Sequence, residues 1–142
     1  MGDKTFIGID YGTKRIGLAK SDPTGLIASA LKTIEVSSDR DAANKIGVVI
    51  QEFQPAGLVI GYPLLLSGER SHKCEEVDRF IRRLTETFDG PIHKIDERLS
   101  SVEAQRVVHA HGRKTGQDKK RLDRLAAVLI LQRFLDSLPR DI

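Results

Sequence analysis

Several residue types are scarce in this chain of 142 residues, and each shortage excludes a class of protein. A single cysteine, Cys74, excludes an internal disulfide and fits a reducing compartment. Tryptophan is absent and aromatic residues make up 5%, so branched aliphatic side chains must fill most of a core. No apolar run approaches the ~18–20 residues of a membrane span, and the first residues lack a signal peptide's basic and apolar regions. We therefore expect a cytoplasmic protein with no membrane partner.

The length and composition indicate one globular domain over residues 1–142. Domains commonly hold ~100–200 residues, and a chain of this size buries ~68–70% of its unfolded surface without disulfides. Charged residues make up 30% of the sequence and apolar residues 39%, as in ordinary globular proteins.

Positive charge is unevenly distributed along the chain, whose formal net charge is +3. Residues 1–90 carry 12 Lys/Arg against 13 Asp/Glu, whereas residues 91–142 carry 11 against 7, a net of +4. The excess is densest between Arg113 and Arg124. Such asymmetry indicates a polyanionic partner that meets one region of the protein. A solvated basic loop is the alternative interpretation.

Short apolar runs and turn signals predict five strands. A buried strand reads as a run of branched aliphatic residues, and clusters of turn-forming residues mark its ends. The turn from Tyr11 to Lys14 is short enough for a hairpin, so the first two strands should run antiparallel. The predicted strands cover residues 5–10, 15–20, 28–36, 57–61 and 92–96.

Apolar residues at helical spacing predict four helices. Ser38 with Asp41, and Ser100 with Glu103, resemble capping boxes, and Cys74 lies on an apolar helical stripe that predicts a core position. The predicted helices run from Ser38 towards Pro55, from Ser71 towards Gly90, from Ser100 to about His111 and from about Leu122 to Leu138, with a basic loop over residues 112–120. The order β-β-β-α-β-α-β-α-α implies an α/β fold, in which an antiparallel meander and parallel strands form one mixed five-stranded sheet flanked by helices.

Acidic residues stand out at the ends of two predicted strands. Asp10 ends the first strand, and Asp96 and Glu97 end the last one. The carboxyl ends of parallel strands meet at one edge of a sheet, where ligands bind. If the strands over 5–10 and 92–96 run parallel, Asp10 and Glu97 emerge at the same edge. Taken singly, an Asp after a strand is more often a turn former.

Asp123 is the third unusual acid and is predicted in the first turn of the final helix. Its neighbours on that helical face are apolar, so it should face the sheet: Ala126, Ala127, Ile130 and Phe134. A partner for the helix dipole is the simpler interpretation of an acid there. If the three carboxylates converge instead, they would suit Mg²⁺ or Mn²⁺, and two such ions ~3.5–4 Å apart can activate water for phosphodiester cleavage.

Four segments of the chain resemble, in order, the motifs of the YqgF (RuvX) family. The segment Gly8–Ala19 reads GIDYGTKRIGLA, and Gly61–Leu64 with Gly68 is similar to the central glycine–proline loop. Asp96–Ala104 reads DERLSSVEA and resembles the acidic motif, while Leu122–Ala127 reads LDRLAA and resembles the final motif. The resemblance covers nearly the whole chain.

The resemblance implies a ribonuclease H-like fold, similar to that of RuvC-type Holliday junction resolvases, and a two-metal hydrolysis of phosphodiester bonds. By motif, the catalytic and metal-binding carboxylates would be Asp10, Glu97 and Asp123, with Mg²⁺ or Mn²⁺ as the cofactor. Asp96 would then support the ligands or be structural. The implied function is a nuclease that matures the 5′ end of pre-16S rRNA in bacteria.

Three other functions stay open at this point. A Holliday junction resolvase would apply the same chemistry to branched DNA. An actin- or sugar-kinase-like ATP-binding unit also contains Asp-x-Gly-Thr, but it needs a second lobe that 142 residues do not hold. A non-catalytic nucleic-acid-binding module would keep the acids for structural reasons. A ribosomal particle is a candidate partner, and monomer and dimer are both open.

Basic residues near the motifs are candidates for binding nucleic acid. Lys14 and Arg15 could bind phosphate oxygens, although solubility of a strand edge explains them equally well. Arg98 could contact substrate or clamp a neighbouring carboxylate. Gly12 is expected to leave room for a phosphate that approaches Asp10. The residues expected to follow a nucleic-acid backbone are Arg113, Lys114, Lys119, Lys120 and Arg121.

Two positions depart from the family pattern. Arg124 follows the final Asp where Ser is usual, and Ser101 stands where Thr is common. Ser101 is a mild change. Arg124 would either face away from Asp123, onto a phosphate, or weaken metal binding.

Overall fold

The computed structural model describes residues 5–97 and 116–139. Its strands are β1 (Phe6–Asp10), β2 (Arg15–Ser21), β3 (Ala28–Glu35), β4 (Gly57–Tyr62) and β5 (Ile92–Asp96). Its helices are α1 (Asp39–Phe53), α2 (His72–Leu84) and α3 (Gly116–Ser137). None of these three helices has the length and apolar character that a membrane crossing requires. The helix predicted from Ser100 to His111 lies outside the described residues.

The five strands form one mixed sheet in the order β3-β2-β1-β4-β5. β2 pairs antiparallel with both β1 and β3, whereas β1 with β4 and β4 with β5 pair parallel. The predicted mixed five-stranded sheet is therefore confirmed, with each strand within a residue of its predicted bounds. β1 and β5 both run parallel to β4, so the carboxyl ends of all three strands lie at one edge.

Side chains along a strand alternate between the two faces of the sheet. Ile7 and Ile9 pack on the face that α1 and α2 cover, whereas Gly8 lies on the opposite face against Leu131 of α3. By the same alternation Asp10 lies on the α3 face. Each fully buried Ile or Leu contributes about 1.5–3 kcal/mol. The α3 face is filled by Ala19, Val59, Ala127, Ile130, Leu131, Phe134 and Leu135.

Glycines in the strands allow α3 to lie unusually close to the sheet. A Cβ atom added at Gly17 of β2 would lie 2.0 Å from the backbone oxygen of Asp123. One added at Gly61 of β4 would lie 2.6 Å from Ile130 Cδ1 and 2.8 Å from Glu97 Oε2. The contact at Gly17 is with backbone, so Gly17 fixes how closely α3 and Asp123 approach β2, whereas the atoms beside Gly61 are the ends of flexible side chains that can move.

The start of α2 is tied to the end of β4. The Ser71 hydroxyl donates a hydrogen bond to the carbonyl of Pro63, and the Ser71 N–H donates to Cys74 Sγ at 3.4 Å. Cys74 is buried, which confirms its predicted core position. The helix ends at Leu84, earlier than the apolar stripe towards Gly90 indicates. The chain there turns into loop, in which the Phe88 N–H still bonds to the Leu84 carbonyl at 2.9 Å.

α3 begins at Gly116, so the prediction of a basic loop up to residue 120 is wrong for its last part. Contacts with β3 hold these polar first turns. The Thr33 hydroxyl donates to the Lys120 carbonyl at 2.7 Å, and Lys120 Nζ lies 3.1 Å from Glu35 Oε1. The helical structure there depends on tertiary contacts that an apolar period cannot reveal.

Candidate active site

A cleft of about 420 Å³ opens at the sheet edge where β1, β4 and β5 end. Asp10 is the last residue of β1, Glu97 follows β5, and Asp123 comes from α3. All three carboxylates line this cleft, so the structure brings together the acids that the motifs single out. Its lining residues are Asp10, Tyr11, Gly12, Thr13, Lys14, Arg15, Pro63, Lys73, Glu76, Val77, Glu97 and Asp123.

Asp10 and Glu97 form a hydrogen-bonded pair of carboxyl groups. Burial raises the pKa of Asp10 well above its usual range, and repulsion from Glu97 and Asp123 raises it further. Burial also raises the pKa of Glu97, while the hydrogen bond from Asp10 favours its charged form. Both pKa values are raised because both groups are buried, and two adjacent buried carboxylates repel each other when both are ionised and no cation lies between them.

Asp123 is paired with a cation. Arg15 Nε lies 2.8 Å from Asp123 Oδ2, and the two side chains are 32% and 15% exposed. Arg15 lies on the same face of β2 as Gly17, the strand position that α3 approaches most closely. Asp123 was predicted in the first turn of the final helix. It lies about two turns into α3, because the helix begins at Gly116. Its charge is therefore met by Arg15 and not by the helix dipole.

The carboxylate set suits a divalent cation by its chemistry. Hard oxygen ligands in an incomplete protein shell are typical of Mg²⁺ and Mn²⁺ sites. Within residues 5–97 and 116–139, however, no three His, Cys, Asp or Glu side chains are already grouped to hold a metal ion. Arg15 occupies Oδ2 of Asp123, so a cation held by all three acids would either share Asp123 with Arg15 or displace Arg15. The three metal-binding roles stay predictions.

Arg124 points away from the acids. Its Nη1 atom donates to the Thr33 hydroxyl on β3 at 3.4 Å and not to an acid of the cleft. Of the two alternatives that the sequence left open, the structure favours the one in which Arg124 faces away from the proposed metal ligands.

The predicted nucleic-acid-binding residues fall into three groups. Lys14 is exposed at the cleft beside Arg15. Lys119 and Arg121 are exposed on α3, while Lys120 is paired with Glu35. The charge of Lys120 is therefore already met, and Lys119 and Arg121 are the two of these three that are open to phosphate contacts. Arg98, Arg113 and Lys114 lie outside the described residues.

Gly12 has a structural role in addition to the predicted one, which stays a prediction. A Cβ atom at this position would lie 2.5 Å from the carbonyl oxygen of Arg15. The glycine is therefore required by the tight turn between β1 and β2, which places Lys14 and Arg15 beside Asp10.

The sequence analysis missed the contribution of α2. Lys73 and Glu76 line the cleft from its first turns, and the ring of Tyr11 stacks on Phe80 of the same helix at 4.6 Å. The chain order could have predicted this contribution. Because α2 follows the loop after β4, its N-terminal end must lie at the same sheet edge as Asp10.

Solved structures with this architecture identify the class of fold. The fowlpox virus resolvase, solved with Holliday junction DNA, matches with a TM-score of 0.55 and 11% identity over 96% of this chain and 99% of that chain. The RuvC protein of T. thermophilus, solved with a Holliday junction substrate, matches with a TM-score of 0.52 and 15% identity over 92% of each chain. The fold is therefore ribonuclease H-like, of the kind found in these resolvases.

Sequence similarity identifies the family. The RuvX family model, described as "Holliday junction resolvase", matches residues 4–137. A Synechocystis protein is 43% identical over 92% of this chain and 86% of its own length. A Rippkaea orientalis protein is 39% identical over 92% of this chain and 94% of its own. Both are named "Putative pre-16S rRNA nuclease". The chain belongs to the RuvX (YqgF) family.

Proposed function

We propose that this protein is a metal-dependent nuclease that hydrolyses phosphodiester bonds at the 5′ end of pre-16S rRNA. The main observation behind the proposal is the cleft. Asp10, Glu97 and Asp123 line it together with cationic side chains at one edge of the sheet. The names of the similar proteins support the choice of substrate. Structured RNA, alone or within a ribosomal particle, is the partner that this function requires.

The residues of the cleft have distinct parts in this proposal. Asp10, Glu97 and Asp123 would hold Mg²⁺ or Mn²⁺. A pair of such ions, when bound, supplies an ionised water and stabilises the leaving oxygen. Lys14 would bind phosphate oxygens at the cleft, and Arg15 would exchange Asp123 for a phosphate, since guanidinium pairs with both groups. The burial of Asp10 strengthens its attraction for a cation by excluding water.

An assay on purified protein tests the proposal. We predict Mn²⁺-dependent cleavage of an RNA that carries the pre-16S 5′ end. Asp10→Asn should lower the rate at least about a hundredfold, a loss of ~2.7 kcal/mol of transition-state stabilisation, while RNA affinity stays within about threefold because phosphate contacts provide it.

The matched control is Asp89→Asn, which removes the same charge from an exposed residue outside the cleft and should cleave like wild type. Equal cleavage by Asp10→Asn and wild type would reject the acidic cleft as the active site. Binding without cleavage of any substrate would favour the non-catalytic module.

The description of the RuvX family favours a second candidate, a Holliday junction resolvase. The same assay, run on a four-way DNA junction and on single-stranded DNA, separates the two candidates. Efficient cleavage of the junction with no cleavage of the RNA would replace the substrate and keep the chemistry.

A further inference from the structure

The α2 side of the cleft, formed by Lys73, Glu76 and Val77, has no part in the proposed function so far. Val77 is buried and belongs to the core. Lys73, in contrast, is exposed and brings a flexible cation to a cleft whose other cations come from the turn between β1 and β2. A long ammonium side chain can reach a ligand in the cleft without movement of the backbone.

The position of Lys73 is fixed by its neighbours. Cys74 is fully buried in the next position, and Ser71 ties the helix start to the carbonyl of Pro63, itself a residue of the cleft. The Cα of Lys73 therefore has a defined place beside the end of β4. Only the side chain is free to choose between partners.

The charge of Lys73 reaches both acids of the buried pair. Burial is the main cause of the raised pKa of Asp10 and of Glu97, and the ammonium of Lys73 opposes it at both groups. Lys73 is thus a cation on α2 that lines the same cleft as the pair. A divalent cation bound by the same acids would repel it.

We propose that Lys73 is a phosphate-positioning residue, which lies at the same cleft as the Asp10–Glu97 pair and binds a non-bridging phosphate oxygen of the nucleic acid when metal is bound. The inference deepens the proposed function and rests on it. The phosphate backbone would then be contacted from two elements, by Lys14 and Arg15 from one side and by Lys73 from α2.

The proposed role makes an unusual prediction about Lys73→Ala. Removal of a cation near the acids should strengthen the binding of Mn²⁺, by about three- to tenfold at the effective dielectric of a protein surface. Removal of a phosphate contact should weaken nucleic-acid binding by a similar factor and lower the salt slope of log K by about 1. A side chain with a merely structural role would not shift the two affinities in opposite directions.

The experiment measures Mn²⁺ affinity of the full chain by electron paramagnetic resonance, and affinity for an RNA of the pre-16S 5′ end by fluorescence anisotropy with Ca²⁺ present. Lys73→Arg should recover most of the RNA affinity because the charge is retained. The control is Arg82→Ala, which removes one positive charge from the last turn of the same helix, ~13 Å along the axis and beyond the ~8 Å screening length. It should change neither affinity.

The proposal is supported if Lys73→Ala shifts the Mn²⁺ and RNA affinities in opposite directions and Arg82→Ala shifts neither. Unchanged affinities, or losses in both with an intact circular dichroism spectrum, would overturn it. Both affinities are measured without cleavage. A wild-type protein that binds Mn²⁺ and RNA but cleaves no substrate would contradict the proposed nuclease activity, while the two affinities would still test the role of Lys73. A wild-type protein that binds no Mn²⁺ overturns both.

Discussion

Asp10 is a residue whose charge works against folding in the metal-free protein. Its pKa is raised by burial and then by Glu97 and Asp123. A carboxyl group whose pKa is raised in the folded state binds protons more tightly in the folded protein than in the unfolded chain. The free energy of unfolding therefore falls as pH rises from about 4 through the folded-state pKa. We predict that Asp10→Asn stabilises the metal-free protein at pH 7, because the amide carries no charge to bury beside Glu97 and Asp123.

Thermal unfolding in the presence of a chelator measures this effect. The melting temperatures of wild type and Asp10→Asn should converge at acid pH, where Asp10 is protonated, and separate as pH rises. Saturating Mn²⁺ should reverse their order, because only the wild type retains a complete set of ligands. A variant that is less stable than wild type at neutral pH without metal would show that repulsion is not the dominant effect at Asp10.

At the scale of elements, the site depends on how closely α3 approaches β2. A methyl group at Gly17 would meet the backbone oxygen of Asp123 at 2.0 Å, and backbone cannot yield as a flexible side chain does. We predict that Gly17→Ala lowers the free energy of unfolding by about 1–3 kcal/mol or more. It should also displace Asp123 and Arg15, so cleavage should fall by more than the loss of folded protein explains.

Gly116→Ala is the matched control, because an added Cβ there meets no atom within 4 Å. In the first turn of α3 it should be neutral or stabilise by up to ~1 kcal/mol. Chemical denaturation gives the stability of both variants, and cleavage at a temperature where both are folded gives the activity. A fully active, fully stable Gly17→Ala would contradict the close contact between α3 and β2.

For the whole molecule, the sheet could be predicted because turn residues separate its strands and because β1 and β4 are nearly continuous apolar runs. The place of Asp10 and Glu97 followed from the parallel direction of β1 and β5. The ion pair of Asp123 with Arg15 could not be predicted, since it depends on where α3 crosses β2, and Gly17 decides that. The first turns of α3 were missed because Thr33 and Glu35 of β3 hold them, and no local pattern encodes such contacts.

The surface charge of the whole molecule determines how it should meet nucleic acid. Lys119 and Arg121 are exposed on α3, so they can release counterions on binding, whereas Lys120 already faces Glu35 at 3.1 Å. We predict that changing Lys119 and Arg121 together to Gln lowers the salt slope of log K for RNA binding by about 2, while Lys120→Gln changes it by less than ~1. Anisotropy titrations between ~50 and ~200 mM salt measure both slopes. If the loss of affinity is equal at all salt concentrations, the double substitution has disturbed α3 and its Asp123 and has not removed phosphate contacts.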